Sequence, residues 1–131
     1  MRKILGGLVA AMLATGLLVT TAGPASAAAC KLYNGTTATK ASTGNWYSQA
    51  FTTPTGGCND TNLYLTSYSN YYKGQYLSGG TWTDGAAGWK LVPANTPSYG
   101  SGRVLISSVT DGTPVRVTEY QHGGSAVTVG L

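Results

Sequence analysis

The chain beyond about residue 28 predicts an all-β fold, a small antiparallel β-sandwich or barrel-like domain of seven to eight short strands. Three observations predict it. No segment there carries the 3.6-residue period of a helix, Gly, Pro, Asn or Asp interrupts the chain every few residues, and the runs between breaks are rich in β-branched and aromatic residues. Taken in order, the runs are 46–51, 62–68, 71–77, 89–92, 103–109, 115–120 and 126–129, with a weaker candidate at 32–40. Their spacing suits a single compact β-domain, and no linker or fixed-period repeat divides it.

The last third allows pairing to be predicted. Asp111-Gly112 is a favoured two-residue hairpin turn, and pairing about it sets Ile106 opposite Val117 and Ser108 opposite Val115. Ser107 then meets Arg116, and Arg103 meets Tyr120, on the other face. Reading His122-Gly123-Gly124 as a three-residue loop sets Val117 opposite Val129 and Glu119 opposite Val127. The expectation is a C-terminal three-stranded meander with Val104, Ile106, Val115, Val117, Val127 and Val129 facing the core. Pro114 is tolerable at a strand start.

The N-terminus reads as an address. Arg2 and Lys3 precede an apolar stretch broken by Gly6, Gly7 and Gly16, and Ala25-Ser26-Ala27 supplies the small-residue cleavage pattern. Residues 1–27 are therefore read as a signal peptide of the general secretory route, and 28–131 as one extracellular domain. The apolar run is too short and too punctuated for a transmembrane span. The only two cysteines, Cys30 and Cys58, are expected to form a disulfide in an oxidising compartment. A second reading takes Ala27-Ala28-Ala29-Cys30 as a lipobox, with Cys30 lipidated and Cys58 unpaired; the position three before the cysteine is Ala27 where that pattern favours Leu.

Loss of Arg2 and Lys3 lowers the formal charge from +4 to +2. The remaining cations, Lys31, Lys40, Lys73, Lys90, Arg103 and Arg116, are scattered. That distribution argues against nucleic acid and against a membrane-surface helix as partners.

The aromatic residues are the main functional signal, with nine Tyr and three Trp against one Phe. Alternation along 62–68 puts Leu63 and Leu65 inward and Asn62, Tyr64, Thr66 and Tyr68 outward. Tyr72 and Tyr76 are expected to line up on the adjacent strand. Flat rings beside Asn and Thr suit polysaccharide, because sugar faces stack on rings while hydroxyls take hydrogen bonds. The competing reading is that the tyrosines cover a small sandwich and pair across strands. Trp82 and Trp89 flank the glycine-rich turn 84–88, and Trp46 opens a strand; tryptophans in so small a domain serve as core plugs more readily than as platforms. The candidate ligand set is Tyr64, Tyr68, Tyr72, Tyr76 and Trp82.

Catalytic materials are sparse. His122 is the single histidine, expected to be an ordinary exposed loop residue, and no G-x-S-x-G elbow accompanies it. Of the four acids, Asp84 and Asp111 precede glycines and read as turn residues, leaving Asp60 and Glu119 as a weak pair for glycoside hydrolysis. No zinc or calcium spacing is present, so no metal or cofactor is expected. Two sequons are read as a turn at Asn34-Gly35-Thr36 and a loop at Asn59-Asp60-Thr61.

Asp111-Gly112-Thr113-Pro114-Val115-Arg116-Val117, with one or two cysteines and a Trp-rich middle, resembles small secreted β-proteins of Gram-positive soil bacteria. The resemblance implies an extracellular β-domain and carries no site residues with it. The expected function is therefore a secreted, monomeric, non-enzymatic protein that binds extracellular or cell-wall polysaccharide on a Tyr-rich sheet face. The alternative is a protease inhibitor or small antagonistic protein acting on a secreted partner through the exposed loop 93–102. A small hydrolase using His122 comes third.

Overall fold

A computed structural model describes residues 30–131; the expected signal peptide, residues 1–27, and its expected cut lie outside them. The strands are β1 (Leu32–Thr36), β2 (Thr39–Lys40), β3 (Trp46–Tyr47), β4 (Phe51–Thr52), β5 (Thr61–Thr66) and β6 (Asn70–Ser78). They continue with β7 (Thr81–Asp84), β8 (Lys90–Val92), β9 (Val104–Ile106), β10 (Pro114–Glu119) and β11 (Ala126–Gly130). A single 3-10 turn at Ser101–Arg103 precedes β9. The fold is all-β, as predicted, with eleven strands where seven to eight were expected, because the runs 32–40 and 46–51 each break in two and β7 lies outside the predicted runs.

The strands form two antiparallel sheets. The first runs in the order β1-β11-β5-β9 and the second β2-β3-β10-β6-β7, with β4 also pairing β10 and β8 also pairing β6. Between them lie Phe51, Leu63, Tyr72, Val92, Leu105, Ile106, Val115, Val117, Val127, Val129 and Leu131. Burying that apolar surface is the main driving force for joining the sheets.

The C-terminal meander is corrected. Strand β9 pairs β5, β10 pairs β6, and β11 lies between β1 and β5. The Asp111-Gly112 turn does form, with Gly112 N–H donating to Thr53 O and Thr113 N–H to Thr110 O, but it carries the chain from one sheet to the other. Ile106 and Val117 do face one core, from opposite walls. Alternation specifies which face is buried; it does not distinguish a neighbour in the same sheet from a residue across the sandwich. Of the core membership predicted there, Ile106, Val115, Val117, Val127 and Val129 are buried, whereas Val104 is only half-buried and lies outside the core cluster, in which Leu105 takes its place.

Strand β5 also departs from simple alternation. Leu65 pairs Thr128 and Leu63 pairs Val129, so Tyr64 is an extra residue in a bulge. A bulge reverses the parity of the residues beyond it. Thr66 therefore turns inward and is fully buried, whereas Leu65, expected inside, is only partly buried. A second irregularity lies in the pairing with β9, where Thr61 pairs Ile106 and Asn62 pairs Val104, so Leu105 is the extra residue. Asn62, expected outward, is buried beneath the Cys58 loop, its Nδ2 3.7 Å from Cys58 Sγ.

Asn34-Gly35-Thr36, expected to be a turn, lies within β1 opposite Thr128, Val127 and Ala126. A Cβ on Gly35 would stand 2.6 Å from Phe51 Cζ, so the glycine marks a close approach and not a bend. The disulfide joins Cys30 to Cys58, with Cα atoms 4.5 Å apart. It ties the start of β1 to the loop that enters β5, and it leaves Cys30 no thiol for the lipidated alternative.

Candidate functional site

Cross-strand partners share a face, and the register of the second sheet therefore sorts its residues. Tyr72, Gly74 and Tyr76 of β6 pair Glu119, Val117 and Val115 on the inner side. Tyr71, Lys73 and Gln75 point outward, where Lys73 and Gln75 pair Thr118 and Arg116 of β10. Gln75 also pairs Asp84, Leu77 pairs Trp82, and Tyr71 pairs Leu91. On the far side of β10, Tyr47 pairs Thr118. The outer face thus gathers Tyr47, Tyr71, Trp82, Trp89 and Tyr120 around a polar strip.

That strip is tightly ordered. Asp84 Oδ2 accepts from Lys73 Nζ at 2.9 Å and Oδ1 from Gln75 Nε2 at 2.7 Å. The other end of the same amide, Gln75 Oε1, accepts from Arg116 Nε at 2.8 Å and Thr118 Oγ1 at 3.3 Å. The Arg116 guanidinium carbon lies 3.9 Å from the centre of the Tyr47 ring and 4.3 Å from that of Trp82. Lys73 Nζ sits 4.7 Å over Trp89, which meets Tyr120 edge-on at 5.4 Å. Such cation–π contacts, worth about 0.5–2 kcal/mol each, fix both the cation and the ring plane. A cavity of about 360 Å³ opens between Tyr47, Trp82, Arg116 and Asn45.

Electrostatics follow from these contacts. Burial pushes the Asp84 carboxyl upward, but the hydrogen bonds from Gln75 and Lys73 outweigh it and hold the group below the usual aspartate range. Burial also lowers Arg116 from its ordinary value, with Tyr47 and Asp84 opposing. The expectation that Asp84 is only a turn residue is corrected: it ends β7 and anchors the polar strip.

Of the five residues in the candidate set, only Trp82 lies on this face. Tyr72 is fully buried, its hydroxyl 2.7 Å from Thr66 Oγ1 and donating to Tyr68 O at 2.6 Å, so it is a core residue. Tyr76 is half-buried against the core and lines a separate cavity of about 430 Å³ with Ile106 and Val109. Tyr64 packs on Tyr99, ring centres 4.7 Å apart, and Tyr68 stacks on His122 at 3.7 Å. Both lie on or just beyond β5, in the other sheet. The expected row is absent because the two tyrosine-bearing strands, neighbours in sequence, belong to different sheets.

His122 lies in the loop between β10 and β11, as expected, with its ring held by contacts the sequence does not reveal. Its Nδ1 lies 3.1 Å from Oε1 of Glu119, which is fully buried. Glu119 also accepts from Thr37 Oγ1 at 2.6 Å and Ser125 Oγ at 2.7 Å, with Asn70 Nδ2 at 3.4 Å and Tyr72 OH at 3.2 Å. Ser125 is buried and approaches the same ring nitrogen, Nδ1, at 3.4 Å. A nucleophilic triad needs its hydroxyl at Nε2 and its acid at Nδ1. This cluster places both on one side of the ring and works as a knot between the two sheets.

The loop 93–102 is braced from within by buried Arg103, whose Nη2 donates to Thr96 O at 2.6 Å and Nη1 to Leu63 O and Tyr64 O. Asn95 N–H and Ser98 N–H bond Thr66 O and Tyr64 O on the edge of β5. Among the described residues no group of three His, Cys, Asp or Glu could hold a metal ion, and no helix is long and apolar enough to cross a membrane.

Comparison with protein-family models, curated proteins and solved structures finds no match to this chain.

Proposed function

We propose that the chain is an extracellular, non-enzymatic module that binds extended polysaccharide on the outer face of its second sheet. One observation carries this reading: Tyr47, Tyr71, Trp82, Trp89 and Tyr120 share a single solvent-facing surface with Lys73, Gln75, Asp84 and Arg116 between them. Rings offer flat apolar area, and the polar strip offers fixed donors and acceptors, the combination a hydroxyl-rich chain needs. The Tyr47 and Trp82 rings stand 3.9 and 4.3 Å from the Arg116 guanidinium carbon and so flank one cation at the centre of the face, while Trp89 and Tyr120 continue the aromatic surface beside Lys73. Tyr71 and Tyr120 remain 47% and 44% exposed, so ring area is available to a ligand. Export is supported by the leader pattern of residues 1–27 and by the Cys30–Cys58 disulfide. The test is co-sedimentation with insoluble polysaccharides, in which Trp82→Ala weakens retention by about tenfold or more while the variant still unfolds in a cooperative thermal transition.

A second reading draws on a different observation. The Arg103 brace holds loop 93–102, which neither cysteine adjoins in sequence, and Asn95, Thr96 and Pro97 stay exposed on it. A loop so ordered loses little entropy on docking, which favours binding a secreted protein such as a protease. Inhibition that vanishes with Arg103→Ala, while polysaccharide retention is absent, would favour this reading over the first.

A further inference from the structure

The two described arginines meet their surroundings differently. Arg103 is buried and spends its guanidinium on three backbone carbonyls, those of Leu63, Tyr64 and Thr96. Arg116 commits Nε to Gln75 Oε1 and rests against the rings of Tyr47 and Trp82. The carboxyl group nearest to hand, Asp84, has both oxygens engaged, one by Lys73 and one by Gln75. Among the described residues no carboxylate forms an ion pair with Arg116. The groove therefore contains a partly dehydrated guanidinium, fixed in orientation, that still lacks a contacting counter-charge.

We infer that Arg116 is the receptor for an acidic group on the bound polysaccharide, so that the ligand is an anionic glycan carrying carboxylate or phosphate. This rests on the polysaccharide reading above. The chemistry is that of a planar fork: guanidinium N–H groups match two oxygens of a carboxylate or phosphate in a bidentate contact, which a lysine ammonium cannot reproduce. Rings on both sides hold that plane before the ligand arrives, so little side-chain entropy is lost on binding. Gln75 contributes by fixing Arg116 at Nε while it holds Asp84 through its amide nitrogen. Asp84, with its two oxygens engaged by Lys73 and Gln75, acts on Arg116 through space but makes no ion-pair contact with it.

The experiment measures binding of the secreted chain to polygalacturonate, to a glycerol-phosphate polymer and to a neutral β-glucan, for wild type, Arg116→Gln, Arg116→Lys and Trp82→Ala. The expected result is at least tenfold tighter binding to one acidic polymer than to the neutral one. That preference is lost in Arg116→Gln and largely lost in Arg116→Lys, which keeps the charge without the fork. Which acidic polymer binds identifies carboxylate or phosphate as the ligand group. Should Arg116→Gln fail to fold, Arg116→Lys and the salt dependence of wild-type binding decide the matter, with a weakening of several-fold between 50 and 200 mM salt on the acidic polymer expected. Equal binding to acidic and neutral polymers, abolished by Trp82→Ala but untouched by either Arg116 variant, would overturn the inference and leave the polysaccharide reading standing. Binding to none of the three polymers would overturn both.

Discussion

His122 Nδ1 stands 3.1 Å from Oε1 of Glu119, three residues earlier, and the two side chains differ sharply in exposure: 41% for the imidazole and none for the carboxyl. The buried partner is the structural one. Glu119 gathers Thr37 from the chain after β1, Ser125 from before β11, and Asn70 and Tyr72 from β6. Three segments of the molecule therefore meet on one carboxyl group.

Glu119→Ala should cost about 3–5 kcal/mol, because it strands buried hydroxyl and amide partners in a medium where unpaired polar groups are expensive. His122→Ala should cost about 1 kcal/mol or less, since a half-exposed pair gains little over water. Chemical denaturation of both single variants and of the double variant measures this. Equal losses for the two residues would contradict the assignment of Glu119 as the hub.

Reduction of the disulfide should lower stability by about 3–4 kcal/mol, the chain-entropy value for a 28-residue separation between Cys30 and Cys58. The same loss should appear in Cys30→Ser/Cys58→Ser without reductant. Unfolding midpoints in guanidinium chloride with and without reductant supply the comparison; a change below about 1 kcal/mol would show that the reduced ensemble is already constrained.

Alkaline pH should expose Tyr72. Burial, reinforced by Glu119 and opposed by hydrogen bonds from Thr66 and Ser125, pushes its hydroxyl up to about 12. The unfolded chain loses that proton near 10 and the folded one near 12, so the unfolded state binds fewer protons in between and stability falls as pH rises through this window. Two pH units correspond to roughly 2–3 kcal/mol. The contribution is fully present below about pH 10, and Tyr72→Phe should flatten the slope between about pH 10 and 12. A slope unchanged in that variant would assign the effect to other groups.

How far the sequence reveals this molecule depends on which physical rule each element obeys. Strand content, the Cys30–Cys58 bond and the buried set around Val115, Val117, Val127 and Val129 follow from period, cysteine count and alternation, all of which are local. Strand partners are not local: Ile106 and Val117 alternate as hairpin neighbours would, yet they face each other across the sandwich. The bulge at Tyr64 leaves no mark in the hydrophobic pattern, so the burial of Thr66 was not legible. The site was legible in part. Once Val115 and Val117 are placed inward, Arg116, Thr118 and Tyr120 must point outward, and that face was readable in the sequence. Strand β6 carries tyrosines in both parities, Tyr71 outward and Tyr72 and Tyr76 inward, so alternation there could not choose between them. The knot at Glu119 joins residues as far apart as Thr37 and Ser125, and only the folded topology brings them together.

Whether the outer face of β3, β10, β6 and β7 binds polysaccharide is decided by co-sedimentation of wild type, Trp82→Ala and Tyr64→Ala with an insoluble polysaccharide panel. Trp82→Ala should weaken binding by about tenfold or more, as loss of a central aromatic anchor does, while Tyr64→Ala, in the other sheet, binds as wild type. Loss on Tyr64→Ala with Trp82→Ala unaffected, or no retention of the wild type by any polysaccharide, would rule this face out as the binding surface.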